Sequence, residues 1–427
     1  MELKPLRGMR DIVDPESAEL AALASSFRRV ASLYGYKEVI PPTLERFELF
    51  ALKSGEEIRR TMYVFADKAG REVALRPEVT ASVARIYLRL LRGRAKPVRL
   101  IYVANCFRYD EPQRGRYREF FQAGAELIGS DDPESDVELI MMLNEYYDTI
   151  GLGERRIKID DVGIHRSIMR EAGVPEQEQD KILHLMDKEL HDEALREARR
   201  RASNPSALGK LEYLVSNRHG GYRVLNELAG KSGGSIAAAA SRLRMIADIL
   251  EEIIGRDRII IDLGFARGLA YYTGLIYEVM VPGLGLSVAG GGRYDNLIEL
   301  YGGDHTPATG FAIGLDRTLL ALKAEEKSLV EKPCARVLVV PLTRDFLVQA
   351  LRALGAVHSI GAVAELYHGR TRKLRKILSF ASEQGYSHVI LIGRREAEEE
   401  AVTLRDMASR TQETVGLGEL AGKLPCR

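Results

Sequence analysis

The chain has 427 residues, enough for two or three domains because single cores seldom grow beyond about 250 to 300 residues. Hydrophobic residues make up 45% and charged residues 29%, the ordinary balance of a globular protein. A net charge of +1, from 62 Lys and Arg against 61 Asp and Glu, excludes a generally basic nucleic-acid coat and allows only local basic surfaces offset by acid elsewhere.

Residues 6–15, LRGMRDIVDP, are a turn-rich entry. Leu20, Leu23, Phe27, Val30 and Leu33 then predict a helix over 16–34 that Gly35 closes. YKEVIPPTLE reads as a strand whose Pro41 and Pro42 cannot both sit in a central ladder; they mark an ordinary domain edge or an interface. Residues 60–76 predict two short strands, TMYVFAD and EVALR, followed by PEVTASVARIYLRLL as a helix. Pro77, Glu78 and Thr80 suit a helix N-terminus on ordinary grounds. If that first turn faces a pocket, Glu78 and Thr80 could instead hold a substrate ammonium.

The chain is organised around 98–129, VRLIYVANCFRYDEPQRGRYREFFQAGAELIG, read as an antiparallel hairpin with strands at 98–107 and 119–128. Side chains alternate along a strand, so Gln122, Gly124 and Glu126 share one face, and Leu100, Tyr102, Ala104, Cys106 and Arg108 share one face of the partner. Arg108, Gln122 and Glu126 can therefore line one pocket. The connecting loop, 109–118, sets Arg114, Arg116 and Arg118 beside Asp110 and Glu111, which suits a polyanionic partner or a solvated tip. Glu126, between Ala125 and Leu127, is a carboxylate in a buried strand and must be paired or bind something.

SDDPESDVELIMMLNEYYDTIGL is an amphipathic helix, and from about 163 to 255 the pattern becomes mostly helical and more charged, as an inserted helical module would. Its LREARRR run at 195–201 is open to nucleic acid or is simply a solvated helix face. RIIIDLGFARGLAYYTGLIYEVMV returns to strand character around Arg267, Tyr271 and Tyr272. The triple glycine 290–292 permits close approach of a ligand or a neighbouring backbone. Arg317 sits at the start of the helix in GFAIGLDRTLLALKAEE, where a cation opposes the helix dipole unless an anion lies in front of it. Beyond a charged linker, residues 335–427 alternate strands and helices as in a small α/β domain with a mixed sheet, and RTRKLRK at 370–376 offers an electrostatic handle for RNA or a solvated helix start.

Cys106, Cys334 and Cys426 are scattered without metal-ligand spacing, which predicts no disulfide framework and no structural metal, as in a reduced cytosolic protein. No apolar run approaches the ~18 residues that span a bilayer, and MELKPLRGMRD lacks a signal-peptide pattern, so the expected place is the cytoplasm.

Taken together and in this order, LRGMRD, VIPPTLE, LRPEVTA, FRYDEPQRGRYREFFQAGAELIG, ARGLAYYTG, AGGGRYDNL and GFAIGLDR resemble the histidyl-tRNA synthetases, class II aminoacyl-tRNA synthetases, over almost the whole chain. The resemblance implies an α+β fold: a class II antiparallel sheet flanked by helices, with a helical insertion and a C-terminal α/β domain similar to an anticodon-binding domain. The corresponding divisions are 1–162 and 256–325 for the catalytic domain, 163–255 for the insertion, 326–334 for a linker and 335–427 for the last domain. It implies histidine–tRNA ligase activity on L-histidine, ATP and tRNA(His), with Mg²⁺ accompanying ATP, in a homodimer formed through 35–45. Arg108, Arg267 and Arg317 would be catalytic. Histidine would be bound by Glu78, Val79, Thr80, Arg108, Gln122, Glu126, Arg267, Tyr271 and Tyr272. Arg108, Asp110 and Arg317 would meet ATP, and Gln113, Arg116 and Arg118 the tRNA acceptor end. Asp110 and Asp316 stand where the family commonly has Glu, and Ala270 where many relatives carry an acid. The alternative is the synthetase-like regulatory subunit of ATP phosphoribosyltransferase, which usually lacks the C-terminal domain.

Overall fold

The structure, a computed structural model, describes residues 3–54, 56–113, 115–266 and 271–426. Arg267 and Ala270, and with them Arg114 of the hairpin loop, lie outside the described residues. The chain forms two compact units, Met1–Val330 and Glu331–Arg427.

The first unit is built on an eight-stranded sheet. The hairpin Val98–Phe107 and Glu119–Ile128 supplies its second and third strands, both where the alternation predicts them. Ala308–Gly314, Leu286–Arg293, Leu275–Val281 and Arg156–Asp161 follow in antiparallel succession. Parallel pairs close the two edges: Lys37–Glu38 beside the hairpin and Ile259–Ile261 beside Arg156–Asp161. The period of two divides the Glu119–Ile128 strand between two environments. Ala123, Ala125 and Leu127 join the core under Glu16–Leu33 and Pro133–Thr149, where Phe27 packs edge-on to Tyr146 at 5.7 Å and Phe311 at 6.1 Å. Gln122, Gly124 and Glu126 turn to the opposite face.

Three local departures from the sequence pattern have physical causes. The single strand expected over YKEVIPPTLE breaks at its prolines: Lys37–Glu38 stays with the large sheet, and Leu44–Arg46 joins a separate three-stranded sheet. The helix after Pro77 is α-helical over Thr80–Ile86 and continues as a π-helix over Tyr87–Leu91. The triple glycine lies within the strand Leu286–Arg293, and of the two approaches it permits, that at Gly291 is by backbone: a Cβ there would lie 2.1 Å from the carbonyl oxygen of Gly310.

Residues after Arg156–Asp161 form a run of helices from Val162–Glu171 to Gly234–Ile254. Three of the four arginines of LREARRR are engaged with carboxylates: Arg199 with Glu212, Arg200 with Glu197, and Arg201 with Glu197 and Glu178. The solvated-face reading thus has a concrete form.

The second unit is a five-stranded mixed sheet. Arg336–Pro341 is central, with Val363–Leu366 and His388–Ile392 parallel to it, and the hairpin Ala401–Asp406 and Gln412–Gly416 extends one side. The absence of a disulfide, expected from cysteine spacing, is corrected here: Cys334 and Cys426 are bonded, with Cα atoms 5.2 Å apart. Spacing misled because the chain end returns beside the first strand of this unit, so a separation of 92 residues in sequence is a contact in space. Closing a loop of that length is worth about 4 to 5 kcal/mol in the chain-entropy account. Cys106 is a buried free thiol whose burial pushes its pKa up to about 12. Mass spectrometry after alkylation of the native chain is expected to show no adduct without reductant and two after reduction, and Cys334→Ser is expected to lower the unfolding midpoint of the C-terminal unit.

Candidate active site

The face of the large sheet opposite the helices Glu16–Leu33 and Pro133–Thr149 is the floor of a cavity of about 700 Å³. Register makes that floor nearly bare of side chains. Gly124 opposes Ala312, Ala312 opposes Gly290, and Gly310 opposes Gly292 across three strands. Gln122, Glu126 and Glu278 rise from the same floor, and Thr80, Tyr102, Tyr271, Tyr272 and Tyr294 wall it.

Glu126 is 1% exposed. The hydroxyl of Thr80 donates to its Oε1 at 2.7 Å, and the hydroxyl of Tyr294 donates to its Oε2. The two hydroxyls orient the carboxylate from two sides. Its neighbour across the sheet has to be glycine, since a Cβ on Gly310 would lie 1.7 Å from Oε2. Sequence reasoning missed Tyr294, which stands in AGGGRYDNL, and left Tyr102 as a strand residue. The Tyr102 hydroxyl is fully buried at the cavity and, among the described residues, makes no hydrogen bond of ordinary geometry, which leaves it placed to meet a polar atom of a ligand. Tyr271 packs against Tyr272 at 4.8 Å and edge-on to Tyr294 at 5.7 Å, which makes one aromatic wall.

The other predicted residues separate into groups. The carboxylate of Glu78 accepts from the Ala81 amide at 3.2 Å, so it acts at the start of its helix as well as lining the cavity; Val79 is fully buried beneath it. Thr80 is turned to Glu126. Gln122 accepts from the Cys106 thiol at 3.2 Å. Arg108 donates from Nε to the Pro77 carbonyl at 3.0 Å and lies over the Phe120 ring. Arg317, in the first turn of Leu315–Ala324, donates to the carbonyls of Gly115 at 3.0 Å and Ser287 at 2.9 Å. These contacts aim both guanidiniums along the cavity wall that Asp110 shares. Gln113 and Arg116 are exposed and bridge each other through their backbones. Arg118 instead is 9% exposed, stacked on Tyr109, and takes the Gly8 carbonyl on its amide at 2.8 Å, which ties LRGMRD to the loop.

The shortened acid of the last motif is fully used. Asp316 accepts from the Phe121 amide at 2.7 Å and pairs with Arg10, while burial pushes its carboxyl pKa up. Arg10 also pairs with Glu16. The first motif, the central hairpin and the last motif are thus one interconnected unit.

The model of the histidyl-tRNA synthetase family matches residues 8–318, and that of the anticodon-binding domain matches 336–427. The histidine–tRNA ligase of Sulfolobus acidocaldarius is 43% identical over 427 residues, covering 98% of this chain and 97% of that protein. Among solved structures, histidyl-tRNA synthetase from Nostoc superposes with a TM-score of 0.78 at 22% identity, covering 99% of each chain. A protein described as an ATP phosphoribosyltransferase regulatory subunit/histidyl-tRNA synthetase from Bacillus halodurans superposes with a TM-score of 0.77 at 24% identity, covering 92% of this chain and 98% of that one. These two show the shared fold. The anticodon-binding match beyond residue 335, together with near full-length identity to a ligase, separates this chain from the regulatory alternative: it belongs to the histidyl-tRNA synthetase family.

Proposed function

We propose that this chain is a histidine–tRNA ligase that reads its amino acid through Glu126. The observation that carries this is the buried, doubly oriented carboxylate on the floor of a cavity whose wall holds Arg108 and Arg317. The carboxylate of L-histidine attacks the α-phosphorus of ATP, the bond to the bridging oxygen breaks, and pyrophosphate leaves. The 2′- or 3′-hydroxyl of the terminal adenosine of tRNA(His) then takes the histidyl group and releases AMP. No protein nucleophile is needed, so catalysis rests on position and on fixed positive charge facing the phosphate oxygens.

In this reading Arg108, after the hairpin strand, and Arg317, on the helix Leu315–Ala324, clamp the phosphates, held by backbone carbonyls that cost nothing to reorganise during reaction. Arg267 takes the α-phosphate and the substrate carboxylate by resemblance. Glu78, with Gln122, holds the ammonium, and Val79 backs the same turn. Thr80 serves Glu126 more directly than it serves the ammonium, since its hydroxyl already donates there. Glu126, Tyr271, Tyr272 and Tyr294 read the imidazole. Among the described residues no three His, Cys, Asp or Glu side chains converge as a metal cage, so Mg²⁺ would enter on the ATP phosphates, with Asp110 or Glu278 within the cavity to hold it and its charge to offset that of the phosphates.

Gln113 and Arg116 would meet the acceptor end of tRNA(His), with Arg118 positioning their loop. The stretches 1–162 and 256–325 act as one catalytic domain around the 163–255 insertion, and 335–427 meets the anticodon. A homodimer through 35–45 is favoured by Ile40, which is 89% exposed beside the two prolines. No described helix is long and apolar enough to cross a membrane, and the chain's place is taken as the cytoplasm.

Histidine-dependent exchange of labelled pyrophosphate into ATP, run against the other amino acids without tRNA, is expected to occur with histidine alone; exchange with none of them would refute the ligase reading. Glu126→Gln and Tyr294→Phe are each expected to raise the KM for histidine at least tenfold with little change for ATP. Arg317→Ala is expected to lower kcat on the order of 100-fold with the histidine KM nearly unchanged. Equal effects on both substrates would remove these residues from their assigned sides of the cavity.

A further inference from the structure

The segment that carries Tyr271 and Tyr272 is held at its two ends by different parts of the molecule. Its C-terminal end belongs to the sheet. The Thr273 amide donates to the Arg293 carbonyl at 2.9 Å, and the Thr273 hydroxyl donates to Asp295 at 3.1 Å. Arg293 is in turn locked by Asp136, through Nε at 3.1 Å and Nη2 at 3.0 Å. Tyr272 is thereby fixed to the strand that supplies Tyr294.

Its N-terminal root belongs to the helical insertion. The Leu263 amide donates to the Arg218 carbonyl at 2.9 Å. The Arg218 side chain fills the space beside Gly264, where a Cβ would lie 2.6 Å from Arg218 Cδ. His191, the first residue of the helix His191–Arg201, reaches 73 residues along the chain to place Nε2 3.0 Å from the Gly264 carbonyl, while its Nδ1 lies 2.9 Å from the Glu189 carbonyl. Carbonyls only accept, so an imidazole nitrogen that carries a proton donates to the carbonyl it faces, and the proton on Nε2 is the one that holds Gly264. The insertion also reaches the cavity itself, with His184 and Asp187 of Glu176–Asp187 in its lining.

We propose that the helical insertion is a working part of the histidine site, and that His191 is a positioning residue that holds the root of the Tyr271–Tyr272 segment through the Gly264 carbonyl. This rests on the reading of Tyr271 and Tyr272 as imidazole contacts. His191 touches no substrate; it sets where the segment starts, and the Thr273 clamp sets where it ends. Removing the His191 contact weakens the hold on the root while the Leu263–Arg218 bond stays, and this costs histidine affinity more than ATP affinity because Arg108 and Arg317 are held by other carbonyls.

The test is pyrophosphate exchange by the full chain carrying His191→Leu, which keeps bulk without a donor, and His191→Gln, which keeps a donor. The Leu variant is expected to raise the histidine KM about tenfold and the ATP KM less than twofold, with the unfolding midpoint little changed, and the Gln variant to recover most of the loss. Arg199→Ala, an exposed ion pair on the same helix, is expected to change nothing. Equal shifts for the two substrates, or a Gln variant as impaired as Leu, would overturn the proposal. So would no effect of His191→Leu in a chain where Glu126→Gln does raise the histidine KM; silence from both would instead strike the pocket reading itself. Hydrogen exchange on the unaltered chain gives an independent reading. Histidine is expected to protect amides in 189–193 as well as in 262–266, and protection confined to 272–275 would contradict the anchor.

Discussion

The structure depends on the burial of one carboxylate. Glu126 sits almost wholly out of water, and an ionised side chain there is costly unless donors surround it. Thr80 and Tyr294 meet that requirement from two directions, one from the first turn of a helix and one from the end of the glycine strand. Around them the sheet gives up side chains where the carboxylate and its ligand need volume, at Gly310 above all. The same residues that make Glu126 tolerable make it selective. A ligand with ring N–H groups adds to the donor set, and one without them leaves the buried acceptor short.

Charge of the opposite sign is handled differently. Arg108 and Arg317 are steered by the carbonyls of Pro77, Gly115 and Ser287, three separate segments that converge on one cavity. The cation at the start of Leu315–Ala324, unfavourable for a bare helix dipole, is accommodated by two carbonyls and has the phosphate side of the cavity before it. Asp316 completes the frame from beneath, joined to Arg10 and to the Phe121 amide.

Much of this was legible in the sequence because strand alternation is a strict rule. The hairpin bounds, the shared face of Gln122 and Glu126, and the demand for a partner for Glu126 all follow from a period of two. What was not legible depends on distant pairing. Tyr294 follows a glycine run and carries no local mark of its function; only the register of three strands brings its hydroxyl to Glu126. Tyr102 was placed on a face, but the position of its hydroxyl at the cavity appears only once Gly124 and Phe311 are in place. Arg118 resembles its neighbours in a charged loop, yet its guanidinium is turned inward, donating from Nε to the Asp110 carbonyl and stacked on Tyr109. The Cys334–Cys426 bond was hidden by sequence separation, as contacts closed by a whole domain are.

The central claim is that a buried acceptor selects the imidazole, and an isostere tests it most directly. The ratio of kcat/KM in pyrophosphate exchange for histidine over 3-(2-thienyl)alanine, a five-membered aromatic side chain without ring N–H, reads that selection with little change in size. A ratio of roughly 10⁴ or more is predicted for a site that leaves Glu126 unmatched by the analogue. A ratio near the roughly 10² that shape and apolar contact can supply would contradict it, and would place the selectivity in the aromatic wall rather than in the carboxylate.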